Sequence, residues 1–281
     1  MHEALRPFHQ VTAAWFEQAL GEPTLAQAQG WPHIRAGEHT LISAPTGTGK
    51  TLAAFLVFID QLKTQAARGE LADALQLLYI SPLKALGNDI RENLKRPLEG
   101  IGGPELRVAV RTGDTPAAER QRMLRRPPHL LITTPESLFL LLSSRGGRRL
   151  LSTVRSVIID ELHALLSTKR GAHLFFSLAR LDALCGRRVQ RVGLSATITP
   201  LSLAAEALAW PEKAAVVAPK QEKKAAIQVT SAVEDLRVLP SRSIWPEIAG
   251  QVVERCASCR TVLVFLEGRA QAEKLANEIN A

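Results

Sequence analysis

The sequence is poor in the residues that staple or anchor a chain. It has three cysteines, one tyrosine and two methionines in 281 residues, and aromatics make up 5%. Three cysteines cannot build a disulfide framework, and Cys256 with Cys259 forms a lone Cys-x-x-Cys without the second ligand pair of a structural zinc site. Reduced thiols near a helix end are expected there. No window offers the ~18 apolar residues that a membrane span requires. The start, Met1-His2-Glu3-Ala4-Leu5, has no basic stretch leading into an apolar run. A cytoplasmic protein with no membrane partner is expected, and neither repeats nor low-complexity segments stand out.

What the chain does have is a hydrophobic share of 46%, 22% charged residues, and 35 Lys and Arg against 27 Asp and Glu, a formal charge of +8. This is the composition of a folded domain, and the length suggests one complete domain plus something smaller. A pI near 9.8 favours a polyanionic partner such as nucleic acid, although many basic proteins bind none.

Short β-branched and leucine-rich runs (Thr40 to Ser43, Gln76 to Ile80, Leu130 to Thr133, Val157 to Asp160, Arg191 to Leu194) alternate with longer helical patterns. That alternation predicts an α/β fold, a parallel sheet with helices on both faces and its chemistry at the carboxyl ends of the strands. From Trp210 to Glu234 the pattern weakens through Pro211, Pro219 and a charged run, which reads as a connector with a boundary near residue 220. Beyond it are expected a helix from Trp245 to Arg255, a strand from Thr261 to Phe265 and a helix from Arg269 to Asn280, too little to close a second α/β domain.

Two strings carry chemistry. Ala44-Pro45-Thr46-Gly47-Thr48-Gly49-Lys50-Thr51 follows a strand and opens a helix expected from Leu52 to Leu62. Gly47 and Gly49 let backbone N–H groups converge on a phosphate, Lys50 supplies a point charge for the β/γ oxygens, and Thr51 offers a hydroxyl to a metal. The alternative is a glycine-rich turn that binds nothing. Val157-Ile158-Ile159 runs into Asp160-Glu161-Leu162-His163 on a strand that can lie beside the phosphate-loop strand. There Asp160 can hold Mg²⁺ through water and Glu161 can polarise the attacking water. The alternative is a pair of acids capping a short helix.

Taken in order, the phosphate loop, Asp-Glu-Leu-His and Ser195-Ala196-Thr197 resemble motifs I, II and III of superfamily 2 DExH-box helicases. Ser81-Pro82-Leu83-Lys84-Ala85-Leu86, Arg111-Thr112-Gly113-Asp114-Thr115, Thr133-Thr134-Pro135-Glu136-Ser137-Leu138 and Thr168-Lys169-Arg170-Gly171 are similar to the large helicase-related (Lhr) family in particular, and the similarity covers nearly the whole chain. The resemblance implies a P-loop NTPase with a RecA-like ATP-binding domain over residues 1–220. A linker and the incomplete start of a second RecA-like domain would fill 221–281.

It implies ATP and Mg²⁺ as cofactors, with Lys50 and Glu161 catalytic, Thr51 and Asp160 at the metal, and Pro45, Thr46, Gly47, Thr48, Gly49, Lys50 and Thr51 around the phosphates. Gln27 in Pro23-Thr24-Leu25-Ala26-Gln27 matches the glutamine that reads the adenine edge. Phe8 is a possible stacking partner, with simple packing against Trp15 and Phe16 the preferred reading. Ser81, Pro82 and Lys84 match motif Ia, Thr134, Pro135 and Glu136 match motif Ib, and Arg111 and Gly113 belong to the same track. Together these would grip the backbone of single-stranded DNA or RNA, setting position without reading sequence. His163, Ser195 and Thr197 would link nucleotide state to movement. A surface histidine and ordinary solvated loops are the alternatives for these residues.

Two departures matter. The motif IV region is Phe265-Leu266-Glu267-Gly268-Arg269 instead of the commoner Phe-x-Asn-x-Arg form, and motifs V and VI, the latter with its arginine fingers, do not occur. An ATP-driven motor segment on DNA travelling 3′ to 5′ is the first expectation, with slow hydrolysis and no unwinding by these residues alone and the remainder of a helicase as a partner. The rival is a truncated module that binds nucleotide or strand without turnover. A small-molecule P-loop kinase fits poorly, since it would have neither Ser-Ala-Thr nor strand-gripping loops.

Overall fold

Runs that are apolar at successive positions make buried strands here, because a parallel sheet sandwiched between helices has no wet face. The computed structural model describes residues 2–82, 86–196, 198–219, 227–233, 243–257 and 259–280, with backbone alone for 86–89. The chain divides into two compact units, Met1–Gln221 and Glu222–Ala281.

In the first unit a 3₁₀ turn, Glu3–Leu5, precedes α1 (Gln10–Leu20), α2 (Leu25–Arg35), β1 (His39–Ser43) and α3 (Lys50–Ala67). There follow β2 (Leu77–Ile80), α4 (Leu86–Gly100), β3 (Val108–Arg111), α5 (Ala117–Arg125), β4 (Leu130–Thr133), α6 (Pro135–Ser143) and α7 (Arg145–Leu151). The unit is completed by β5 (Ser156–Ile159), α8 (His163–Leu166), α9 (Lys169–Cys185), β6 (Gln190–Ser195), α10 (Leu201–Ala209) and β7 (Ala214–Val217). Among the described residues these strands form one seven-stranded sheet in the order β3-β4-β2-β5-β6-β1-β7, parallel at every pairing.

Strand side chains alternate between two apolar layers, as the period of two requires. Ile42, Tyr79, Ile132, Ile158 and Leu194 join Phe16, Trp31 and Phe55 from the helices on one face. Leu41, Ile80, Leu131 and Ile159 join Leu138, Leu174 and Leu208 on the other. Phe8 packs edge-to-face on Trp31 with centroids 4.8 Å apart and carries the Arg35 guanidinium over its ring at 4.9 Å. It is a packing residue as preferred, in one apolar cluster with Phe16 and Trp15 and with Trp31 as its ring partner.

Three expectations require correction. β3 and β7 went unread because both are sheet edges, half exposed and short, so Val-Ala-Val-Arg and Ala-Ala-Val-Val carry little apolar signal. β7 lies inside the stretch read as connector. In the second unit α11 (Trp245–Cys256) and α12 (Arg269–Asn280) form as expected, with the Lys274 ammonium 5.2 Å over the Trp245 ring. Thr261 to Phe265 is no strand. A strand needs a neighbour's N–H and C=O groups, none of the described residues pairs with this run, and Leu263 and Phe265 are 78% and 88% exposed.

The helices around β1 are locked by one buried carboxylate. Asp60 on α3, 2% exposed, accepts from His9 N–H at 3.0 Å and pairs with Arg35 Nη1 at 2.9 Å, tying the start of α1 and the end of α2 to α3. Removing one partner of a buried pair strands the other. We expect Asp60→Ala to lower stability by about 2–4 kcal/mol in urea unfolding, below the extreme for such pairs because Arg35 reaches solvent.

Candidate functional site

β1 delivers the chain at Ser43 into the loop that opens α3, and the loop can turn there because Gly47 and Gly49 take φ of 80° and 73°. A Cβ on Gly49 would lie 2.5 Å from Gln27 Nε2, so this position excludes a side chain on two counts. The loop is braced from below. Thr48 Oγ1 donates to Pro45 O at 2.8 Å, and Thr24 Oγ1 donates to Thr48 O at 2.8 Å. Gln27 Nε2 donates to Gly49 O at 3.4 Å while its Oε1 accepts the Thr24 N–H at 2.9 Å, half of the capping box that starts α2. Gln27 is 4% exposed and works as a strut beneath the loop. Lys50 Nζ donates to Ala44 O at 2.6 Å and Pro45 O at 2.8 Å, which holds the ammonium over the loop.

The acidic pair stands at the end of β5. Asp160 is 7% exposed; its Oδ1 accepts the Glu161 N–H at 2.9 Å, and its Oδ2 accepts the Tyr79 hydroxyl from β2. Burial, with the nearby charges of Asp160 and Glu161, pushes the Tyr79 phenol far above its ordinary range, so Tyr79 remains a donor. Glu161 has φ of 48°, the single positive value of a non-glycine among the described residues. Backbone held in that region marks a place where the surroundings override local preference. β5 does not lie beside β1 as anticipated: β6 stands between them, pairing with both. The acids and the loop nonetheless converge, because Thr46, Gly47, Lys50, Thr51, Asp160 and Glu161 line one cavity of about 380 Å³ with apolar walls from α3 and α4.

The intervening strand ends at Ser195. His163 Nδ1 lies 3.2 Å from Ser195 Oγ, accepts the Ala196 N–H at 3.3 Å and sits 3.4 Å from Glu161 Oε2. Ser43 Oγ donates to Ala196 O at 3.1 Å, so the same turn is tied to the end of β1. Thr197 and Lys84 lie outside the described residues.

The residues assigned to a nucleic-acid track sit on the other half of the sheet, at the ends of β2, β3 and β4. Ser81 is 1% exposed and Thr134 2%, and Thr134 Oγ1 caps α6 by accepting the Ser137 N–H at 3.4 Å. Both hydroxyls therefore face inward, and Pro135 occupies the first turn of α6. Glu136 is outward, gripped by both arms of one guanidinium: Arg170 Nε to Oε1 at 2.5 Å and Nη2 to Oε2 at 3.0 Å. The same Arg170 donates to Pro82 O, so it joins the two segments. Arg111 is the last residue of β3, and Gly113 is exposed with its carbonyl accepting from Arg120 Nη2 at 2.6 Å. Tyr79 and Arg170 had no assigned role in the sequence. The one available signal for Tyr79 was its position as the only tyrosine, inside an aliphatic strand.

Arg170 beside Glu136 holds that carboxyl at about 2, below its ordinary 4.5. A depressed acid contributes stability above its unfolded value and loses it as pH falls through the folded one, so this clamp opens between pH 4.5 and about 2. Carboxyl NMR titration is expected to give Glu136 a midpoint near 2, and Arg170→Gln to return it toward 4.5.

Comparison with known proteins agrees with this geometry. The model of the DEAD/DEAH box helicase family matches residues 24–204. The chain is 44% identical to the Lhr helicase/probable uracil glycosylase of Mycolicibacterium smegmatis, over 99% of this chain and 19% of that protein. It is 43% identical to the ATP-dependent helicase Lhr-Core protein 2 of Thermococcus barophilus, over 93% of this chain and 32% of that protein. The chain thus spans about a fifth to a third of the length of these curated relatives. The structure of Mycobacterium smegmatis helicase Lhr bound to ssDNA and AMP-PNP superposes with a TM-score of 0.88 at 43% identity, covering 99% of this chain and 36% of that one. The DEAD-box helicase Mss116 bound to ssRNA, at 18% identity and a TM-score of 0.66 over 76% of this chain and 44% of that one, shares the fold alone. With its phosphate loop, acidic pair and Ser195 turn converging on the ends of one parallel sheet, the chain belongs to the DEAD/DEAH box helicase family, on the stretch that it shares with the Lhr helicases.

Proposed function

We propose that the chain is the ATP-binding motor segment of a nucleic-acid helicase or translocase that takes ATP with Mg²⁺, holds one strand of DNA by its backbone and travels 3′ to 5′. The observation that carries this reading is the single cavity lined by Lys50, Thr51, Asp160 and Glu161, with Glu161 in turn 3.4 Å from the His163 that contacts Ser195. The ssDNA and AMP-PNP in the M. smegmatis Lhr structure support DNA and a nucleoside triphosphate as the ligands.

Phosphoryl transfer to water needs charge neutralised on the phosphates and a water held in line. Lys50 can leave the loop carbonyls for the β/γ oxygens, whose full charges outcompete carbonyl dipoles. Glu161 faces the same cavity with its side chain 34% exposed, placed to orient and polarise water. Thr51 and Asp160 fit Mg²⁺, which prefers few protein ligands, several waters and the phosphates themselves, and it would supply charge stabilisation there. Gln27 keeps one amide N–H and one carbonyl lone pair for the adenine edge. The boundary near 220 and the start of a second RecA-like domain beyond it belong to the same reading.

Binding without turnover is the second reading, favoured by one observation: among the described residues no arginine lines the cavity. An arginine finger is worth about 10³ to 10⁵ in rate in related systems. Measuring ATP hydrolysis with and without single-stranded DNA separates the two. Strand-stimulated turnover supports the motor, binding of both ligands without turnover supports the second reading, and failure to bind nucleotide overturns both.

Lys50→Ala is expected to weaken binding of an ATP analogue by about 100-fold in calorimetry, the worth of two charge-assisted hydrogen bonds. Equal affinity would refute the role of the loop. Glu161→Gln keeps the shape of the side chain and removes its charge, so nucleotide affinity should stay within about twofold while turnover falls by about 10² to 10⁴. Undiminished hydrolysis in that variant would remove Glu161 from the chemistry.

A further inference from the structure

Tyr79 is the only tyrosine of the chain, and it stands in β2 among aliphatic neighbours, Leu77, Leu78 and Ile80. It is 0% exposed, and its ring stacks on Phe55 with centroids 4.9 Å apart and an interplanar angle of 25°. A phenylalanine would fill the same space, so packing does not account for the hydroxyl. Among the described residues that hydroxyl has one partner, Asp160 Oδ2. Stability does not account for the pair either, because two apolar side chains of matching shape are about as stable as a buried hydrogen-bonded pair.

What the hydroxyl adds is direction. The last torsion of an aspartate, about Cβ–Cγ, is broad, so the plane of the carboxylate has to be set from outside. The Glu161 N–H, on Oδ1 at 2.9 Å, fixes one oxygen and leaves the group free to swing about it. Tyr79 takes the other oxygen from the neighbouring strand, and donors on both oxygens fix the plane. Asp160 lines the cavity with Lys50, Thr51 and Phe55, whereas Tyr79 is not part of its wall and acts from behind, through Asp160.

We infer that Tyr79 is a positioning residue whose hydroxyl makes the site favour Mg²⁺ over Ca²⁺, an assignment that rests on the proposed place of Mg²⁺ at Thr51 and Asp160. Mg²⁺ demands near-octahedral geometry at about 2.0–2.1 Å and keeps several waters, so an acceptor turned out of line, for the ion or for its water, is lost to it. Ca²⁺ takes about 6–8 oxygens at varied angles, from one or both oxygens of a carboxylate, and tolerates a group that has swung. Removal of the hydroxyl therefore weakens Mg²⁺ and spares Ca²⁺.

The test is Tyr79→Phe in the 281-residue chain, which keeps the ring on Phe55, with calorimetric affinities for AMP-PNP in EDTA, in Mg²⁺ and in Ca²⁺. The ratio of the affinity with metal to that in EDTA measures the coupling of metal to nucleotide. In the variant this ratio should fall by about 10-fold or more for Mg²⁺ and by less than about threefold for Ca²⁺, while the affinity in EDTA stays within about twofold. A loss for Ca²⁺ as large as that for Mg²⁺ would make the hydroxyl a support of the fold alone, and unchanged ratios would give it no part in holding metal; either result overturns the assignment. A wild-type chain whose affinity ignores Mg²⁺ sinks the proposed metal site itself, an outcome read before any variant is made. Should Tyr79→Phe fail to fold by circular dichroism, tyrosine labelled with ¹³C at Cζ decides in the wild type, where the single tyrosine gives a resonance that needs no assignment. It should shift when Mg²⁺ joins the AMP-PNP-bound chain, and further than when Ca²⁺ does; a resonance that stays in place, or that answers both ions alike, overturns the assignment.

Discussion

Asp160 presents a carboxylate at 7% exposure just past the end of a strand in the middle of the sheet, and such a group must be given donors or it destabilises everything around it. Its two oxygens are satisfied from different directions: Tyr79 reaches across from β2, and the backbone N–H of Glu161 turns back from the next residue. Both donors have consequences. Tyr79 can reach only because its strand neighbours β5, with Tyr79 beside Ile158 in register. Glu161 sits in the left-handed region with its own amide aimed at Asp160, and its side chain lines the cavity beside Lys50. The geometry that satisfies a buried charge also sets two carboxylates against the cavity that Lys50 lines.

The second constraint is topological. Because β6 lies between β1 and β5, the phosphate loop and the acidic pair do not touch through their strands, and whatever ends β6 stands between them. That end is Ser195-Ala196, bonded to Ser43 on one side and to His163 on the other. Strand order therefore places a hydroxyl turn between the segments that form the two walls of the cavity. The remaining neighbours, β2, β4 and β3, bring Pro82, Glu136 and Gly113 to the opposite half of the same edge.

What could be read in advance was whatever is local. The phosphate loop shows in the sequence because its turn demands glycine at Gly47 and Gly49 and its chemistry demands Lys50 next in line. β2, β4, β5 and β6 show because burial on both faces leaves no polar alternation. β3 and β7 do not, since an edge strand needs less apolar surface. Thr261 to Phe265 errs in the opposite sense: its composition suits a strand, but a ladder is a property of two segments. The bonds between Arg170 and Glu136, and between Tyr79 and Asp160, span 34 and 81 residues, and no spacing rule joins groups so far apart. Ser81 and Thr134 illustrate the converse, since the hydroxyls that suggested surface contacts are buried at strand and helix ends.

The two halves of the edge are joined by an elbow that motif-by-motif reading would divide. α8 begins with His163, the residue against Glu161 and Ser195, and α9 begins with Lys169 and Arg170, the latter holding Glu136 and Pro82. Between them Thr168 donates to Leu165 O at 2.8 Å and accepts the Gly171 N–H at 3.0 Å, so the turn is capped from both sides. The approach is so close that a Cβ on Gly171 would stand 1.9 Å from Leu165 O, which makes glycine obligatory and leaves the elbow no slack. A joint packed this tightly transmits displacement instead of absorbing it, since close-packed interiors deform little. His163 and Arg170, seven residues apart, are therefore parts of one tightly packed piece, and the groups that face the cavity and those that shape the strand-end surface share a support pinned by two hydrogen bonds of Thr168.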